Sequence, residues 1–345
     1  MDVWAVLDYL TFVAYLVSVP VYILFIATLL KFRKTDFKEP FFKICVSLGI
    51  ADLAQSTGSY LFLAFPRWGL AKSVFWRYNS VLGPLGILWL NCGWASEVIG
   101  VVALTFNRLT AIMTPYRHKM IWAGKLLPTT IILQWLLPQL LHGCFYFGLV
   151  RYIPVENGSR LISVVIKPLI VRQISFYTAA TYRACAFSLY VTAYSCMFFK
   201  LRNYDAGSST GTRHGSKQET NNHDTEKRLA KVGFIISLFE MLMGGYLLVA
   251  ALWPQVYANL NNHFARITIF GTLYAICNPW AHLYMSPTIR KNFIATIKEC
   301  LGMKVKAKQQ DIAMNGSRTR RNPPASPCKK SNSGRWVEAV PDREV

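Results

Sequence analysis

The sequence predicts an all-α membrane protein: a bundle of seven transmembrane helices with the N-terminus outside and a short amphipathic helix after the seventh span. Seven apolar stretches carry this expectation, at about 9–30, 41–65, 81–106, 126–150, 174–199, 232–253 and 267–285. A helix needs roughly 20 mostly apolar residues to cross the hydrocarbon core. Composition agrees, because 53% of the 345 residues are hydrophobic and only 16% are charged, too few to cover a soluble surface. The third observation is the placement of basic residues. Lys and Arg number 4, 4, 7 and 13 in residues 31–40, 107–125, 200–231 and 286–345, against 0, 3, 4 and 1 in residues 1–8, 66–80, 150–173 and 254–266. The richer face is cytoplasmic by the positive-inside rule, which puts the N-terminus outside and the C-terminus inside.

The first span, Tyr9–Leu30, has no basic lead-in and ends in Lys31-Phe-Arg33-Lys34, so it reads as a retained span and not a cleaved signal peptide. In the second and third, Asp52 and Glu97 are embedded carboxylates, about 18 Å and roughly 16 Å along their helices from the inner face at 1.5 Å per residue. Such acids are costly in a membrane and turn inward, paired or hydrated. The two are read as a candidate sodium site, with protonated, hydrogen-bonded acids as the alternative. At the inner end of the third span Arg108 follows Asn107, and Pro115 stops the helix about two turns on. Taken alone, Arg108 reads as an interfacial anchor.

The apolar piece Leu161–Val171 is too short to cross and is broken by Lys167-Pro168. The same loop holds Asn157-Gly-Ser159, a glycosylation sequon on the outer face. Arg183, in the fifth span, is a candidate for ligand contact, with pairing to a carboxylate or snorkelling outward as alternatives. Glu240, in the sixth, reads as a neutral acid bonded to a neighbouring helix or as a further member of the polar core. The polar, Gly/Ser-rich stretch between Asp205 and Asp224 reads as a flexible inner loop. Trp89, Asn91, Tyr177, Tyr246 and Tyr274 fall in outer halves, where they line a candidate small-molecule cavity or simply pack.

After the seventh span, Phe293, Ile297, Cys300 and Leu301 share one face of an amphipathic helix over about 288–301 that lies on the inner leaflet. Cys300 is a candidate for S-palmitoylation or a free thiol. The membrane domain is residues 1–301, and the basic remainder, 302–345, reads as a disordered tail. None of the eight cysteines has C-x-x-C spacing, so no zinc site or disulfide framework is indicated. The +21 charge comes without a nucleic-acid-binding motif, and no HExxH, nucleophile elbow or His/Cys cluster suggests an enzyme.

The order and spacing of several motifs resembles the rhodopsin-like G-protein-coupled receptors. Gly49-Ile-Ala-Asp52-Leu matches the family's second-span aspartate pattern, and Asn107-Arg108-Leu109 sits where it has D/E-R-Y. Pro115 lies seven residues and Trp135 27 residues after Arg108, and Asn278-Pro279 opens a counterpart of N-P-x-x-Y. More narrowly, the chain resembles the nematode serpentine chemoreceptors of the Srg superfamily, most of all the Srv class. Pro20-Val-Tyr22, Lys38-Glu-Pro-Phe-Phe42, Asn107 to Pro115 and Asn278-Pro-Trp-Ala-His-Leu-Tyr284 carry that likeness over about residues 10–300.

The resemblance implies a plasma-membrane chemosensory receptor of sensory neurons, which binds a small-molecule ligand and activates a heterotrimeric G protein through Arg108, Asn107 and Pro115. Asn278 and Pro279 then act as a switch motif, and Asp52 as a sodium ligand. The chain departs from the pattern in five ways: Asn107 replaces an acid, His282 stands where tyrosine is usual, the sixth span lacks C-W-x-P, the fifth lacks a proline, and the usual outer cysteines are missing. Without an acid beside it, Arg108 needs some other restraint. A seven-span carrier or ion channel, using the embedded charges as a pathway, is the alternative function.

Overall fold

The computed structural model describes residues 3–143, 150–154, 161–166, 169–209, 217–253 and 260–303. Helix α1 (Val3–Lys31) is followed by α2 (Pro40–Ser59), which runs through a π-helical turn (Tyr60–Ala64) into the short α3 (Phe65–Arg67). Next come α4 (Lys72–Arg77), α5 (Asn79–Met113), α6 (Pro115–Ala123) and α7 (Leu126–His142). A two-stranded antiparallel hairpin, β1 (Val150–Pro154) and β2 (Leu161–Ile166), precedes α8 (Leu169–Ser209), α9 (Lys217–Leu252), α10 (Leu260–Met285) and α11 (Pro287–Cys300).

Each of the seven expected spans falls on a helix. By length and apolar composition α1, α5, α8 and α9 qualify as membrane-crossing, and α6 with α7, bent by 62° at their junction, form a fifth if taken together. α2 and α10 carry more polar residues, and those turn inward: Ser47, Asp52, Gln55 and Ser56 on α2, Thr268, Thr272, Asn278 and His282 on α10, all buried. Apolar side chains instead cover the outside of the bundle, among them Leu10, Val13, Leu16 and Val17 on α1 and Leu140 on α7. Exposed apolar surface on this scale belongs against lipid, not water.

The irregular turn after Ser59 follows from Pro66. Proline has no N–H and its ring displaces the carbonyl four residues back, here that of Phe62. The helix widens by a π-turn over Tyr60–Ala64, and the Phe62 carbonyl accepts a hydrogen bond from Tyr152 Oη of β1 at 3.1 Å. The hairpin is thereby tied into the bundle, and the side-chain amide of Asn79 secures it further by bonding both the N–H and the carbonyl of Tyr152, at 2.7 and 3.0 Å.

Two expected boundaries need correction. The fourth span was expected over 126–150, but α7 ends at His142 beside Gly143, and Val150 already pairs with Ile166 in the hairpin. Seventeen residues make a helix of about 25 Å, short of a hydrocarbon core of about 30 Å. Similarly, the apolar piece Leu161–Val171 is divided between β2 and the start of α8. The loop expected as flexible between Asp205 and Asp224 is helical up to Ser209 and again from Lys217. Extending an existing helix costs much less than starting one, so polar residues continue it.

α11 begins as the sequence suggests: Ser286 Oγ accepts from the Ile289 N–H at 3.4 Å, and Pro287 occupies the first turn. Ile289 and Phe293 are buried against the bundle, Cys300 and Leu301 are exposed, and Glu299 pairs with Lys31 at the end of α1. Asn292 Nδ2 also donates to Asp36 Oδ2 at 2.7 Å.

Candidate functional site

Three clusters lie along the bundle axis. The first is at the end of α5 where Arg108 stands. Arg108 and Asn107 are both 0% exposed, although the sequence alone allows an interfacial anchor there. The guanidinium Nη2 donates to Asn107 Oδ1 at 2.9 Å, and its carbon lies 4.1 Å from the centre of the Phe41 ring. Phe41 meets the His282 ring edge-on, and His282 stacks on Phe25. His282 Nε2 also lies 3.6 Å from Cys45 Sγ. A row of rings from α1, α10 and α2 therefore ends on the arginine. Nothing in the spacing of Phe41, His282 and Phe25 foretold this, because each is only an apolar or aromatic residue of its own helix.

Pro115 takes the first position of α6, whose Trp122 and His118 both bond Thr110 Oγ1 at 3.0 Å. This folds α6 back onto the last turn of α5, beside Arg108.

The second cluster is the polar middle. Asp52 Oδ2 accepts from Tyr22 Oη and, at 2.7 Å, from Asn278 Nδ2, which joins α1, α2 and α10. Of the sequence-predicted residues, Asp52 and Asn278 meet directly, and Tyr22 is an addition that only packing reveals. Pro279 follows inside α10. On α2 Ser56 lies one turn beyond Asp52, and on α10 Tyr274 lies one turn before Asn278, so each pair shares a face. Asp52 Oδ1, Ser56 Oγ, Tyr274 Oη, Asn278 Oδ1 and Glu97 Oε1 are all buried oxygens with no hydrogen-bond partner among the described residues. Buried polar atoms left this way carry a desolvation cost. Carboxylate, amide and hydroxyl oxygens are the ligand type that a hard cation takes. Among the described residues no group of three or more His, Cys, Asp or Glu is placed to hold a metal ion.

Glu97 is within electrostatic reach of Asp52, Glu240 and Arg183. Arg183 itself is committed: Nη1 donates to Glu240 Oε1 at 2.6 Å, with both side chains buried. The ion pair corrects the reading of Glu240 as a neutral acid and selects carboxylate pairing among the alternatives for Arg183. Its guanidinium also lies 6.0 Å from the Trp94 ring centre and 5.8 Å from that of Tyr182.

The third cluster is at the hairpin end. His263 Nδ1 and Tyr246 Oη are 2.8 Å apart, joining α10 to α9, and Arg266 lies over the Trp4 ring at 4.4 Å. Burial, with the Arg266 charge nearby, pushes the His263 imidazole down to about 4.

The residues proposed to line one outer cavity do not converge. Trp89 is 45% exposed and spans the α2–α5 seam, where its Nε1 donates to the Ala54 carbonyl at 2.9 Å. A Cβ at Gly58 would collide with that indole, so only glycine admits it. Asn91 is buried but turns back to the Ile87 carbonyl of its own helix at 3.1 Å. Tyr177 is 55% exposed and lines a cavity of about 330 Å³ on the outer α8–α9 seam, with Ala180, Thr181, Ala184, Leu248 and Leu252. Tyr274 joins the polar middle, and Tyr246 the hairpin end. The reason is helix rotation: residues at similar depth point around the full circle, and only packing decides which face is inside.

Trp135, picked out by spacing, donates from Nε1 to Ser47 Oγ at 3.0 Å, which binds α7 to α2. Cys300 is exposed at the end of α11. Asn157 and the tail beyond residue 303 lie outside the described residues, as do Cys144 and Cys328. The other six cysteines are free.

The family profile described as "Serpentine type 7TM GPCR chemoreceptor Srv" matches residues 11–299. A curated relative from Caenorhabditis elegans, "Serpentine receptor class V-1", is 31% identical over 141 residues. That alignment covers 40% of this chain and 45% of the relative, under half the length of each.

Proposed function

Because this chain belongs to the Srv family of serpentine seven-transmembrane chemoreceptors, we propose that it is a chemosensory receptor that binds a small-molecule cue and activates a heterotrimeric G protein. The reading places it in the plasma membrane of sensory neurons, N-terminus outside, with the lipid bilayer around the exposed apolar faces. Asn157 then carries glycan outside, and Cys300 an acyl chain against the inner leaflet.

The observation that carries the coupling role is the state of Arg108. A guanidinium is fully buried in the last turns of α5, where it donates to an amide oxygen and lies against an aromatic face. The aromatic ring belongs to α2 and packs on His282 of α10, so a rearrangement of those helices changes how Arg108 is held. Ligand binding favours a conformation with an open inner cleft in proportion to its differential affinity for the two states. In that conformation Arg108, with α6 behind it, faces the G protein.

The orphaned oxygens around Asp52 and Glu97 support a sodium ion as the accompanying cofactor. Asp52, Glu97 and the Asn278 carbonyl oxygen would hold it, and its charge would offset two embedded carboxylates that otherwise repel.

Arg108→Ala should abolish ligand-driven nucleotide exchange on the G protein while leaving surface expression unchanged. Full exchange by the variant would overturn the assignment of Arg108.

A further inference from the structure

The buried ion pair between Arg183 and Glu240 has a third neighbour with an open valence. Arg183 Nε donates to nothing among the described residues, and Glu97 Oε1 accepts from nothing. The donor is on α8 and the acceptor on α5, both in the bundle interior. Electrostatically Arg183 acts on Glu97 as well as on Glu240. A guanidinium has five N–H groups in a fixed fork, and Glu240 takes one hydrogen bond from it. The cluster thus contains one buried cation, two carboxyl groups on different helices, and an unused donor and acceptor; Trp94, whose ring centre is 6.0 Å from the guanidinium carbon, stands one turn before Glu97 on α5.

We propose that Arg183 is a two-position latch: bonded to Glu240 it ties α8 to α9, and turned to Glu97 it ties α8 to α5 and frees α9. The present structure is the first position. Two discrete arrangements follow from chemistry, because a carboxylate in this interior is stable only while paired, and whichever acid Arg183 leaves must find a proton or another donor. The ring centres of Trp94 on α5 and Tyr182 on α8 lie 6.0 and 5.8 Å from the guanidinium carbon, so the head group already reaches the α5 side. Glu97 acquires in this way a role distinct from cation binding, as the alternative acceptor that biases which helix is held. The latch needs neither ligand nor G protein to operate, so it can fail while the receptor reading stands, and the reverse.

The test measures the separation of α9 from the inner end of α5 in the full-length protein in lipid nanodiscs. Spin labels are carried by non-canonical residues at the exposed positions Lys231 and Tyr116, so the native cysteines stay. Glu240→Gln should raise the population of the longer distance about tenfold, and adding Glu97→Gln should cancel most of that rise, because Arg183 then has no second acceptor. An equal rise with and without Glu97→Gln would mean simple loosening and would overturn the latch. Glu97→Gln alone leaves the Arg183–Glu240 pair intact and keeps the experiment readable if Glu240→Gln does not fold. It should lower the longer-distance population about tenfold, and no change would overturn the proposal.

Discussion

The Arg108 guanidinium carbon lies 4.1 Å from the centre of the Phe41 ring, and both residues are fully buried. An arginine whose chain neighbour is Asn107 and not an acid thus rests on the negative face of an aromatic ring, an interaction worth about 0.5–2 kcal/mol depending on desolvation. Phe41→Leu keeps an apolar side chain but removes that face. It should raise ligand-independent nucleotide exchange several-fold, whereas Phe41→Tyr should leave it near wild type. Exchange assays on the two variants side by side check this, and equal behaviour would separate Phe41 from the restraint of Arg108.

The oxygens around Asp52 lead to a salt-specific expectation. Sodium at about ten times its dissociation constant should stabilise the wild-type bundle by about 1.4 kcal/mol, and potassium or choline at the same ionic strength should not. Asp52→Asn should lose the response. Thermal unfolding of the detergent-solubilised protein in each salt is the measurement, and a response that survives in Asp52→Asn would place the ion elsewhere.

Removing one partner of a buried ion pair leaves the other charged and unpaired, at a cost of about 3–5 kcal/mol. Arg183→Ala or Glu240→Ala should each fall in that range. The double change Arg183→Met with Glu240→Leu should recover much of the loss, since it removes both charges and refills the volume. The thermal midpoints of the three variants form the comparison.

Acid acts on the hairpin end through His263. Its imidazole, pushed down to about 4 by burial and by Arg266, stays neutral in the folded protein where an unfolded chain's would protonate near 6.5. The folded state then binds fewer protons in that interval, so the stability His263 contributes is complete above about 6.5 and is lost as pH falls towards 4. Unfolding profiles from pH 7 to 4 should be steeper for wild type than for His263→Gln, and parallel profiles would remove His263 from the account.

The helices were legible because burial in lipid requires long apolar runs, and those are written residue by residue. Asp52, Arg108, Trp135 and Asn278 stood out in the sequence because fixed spacing within or between successive spans sets their depth. The end of α7 at His142 was not, since the apolar run continues without a charge to Val150, which is already strand. Tyr152, which caps the carbonyl freed by Pro66, gave no signal either, being 90 positions from its acceptor.

By itself the sequence determined how many apolar segments there are, how long they are, the basic bias of their connections and the depth of each embedded charge, all properties of one helix and its ends. Only the tertiary structure decided the partners. Arg183 and Glu240 are 57 positions apart, Tyr22 and Asn278 are 256 apart, and Phe41 and Arg108 belong to different helices. Depth follows from 1.5 Å per residue, but the direction in which a side chain points depends on how its helix is rotated against its neighbours. That rotation is set jointly by every contact in the bundle. It turned Trp89 and Tyr177 outward, and it brought the Arg108 guanidinium onto the face of Phe41.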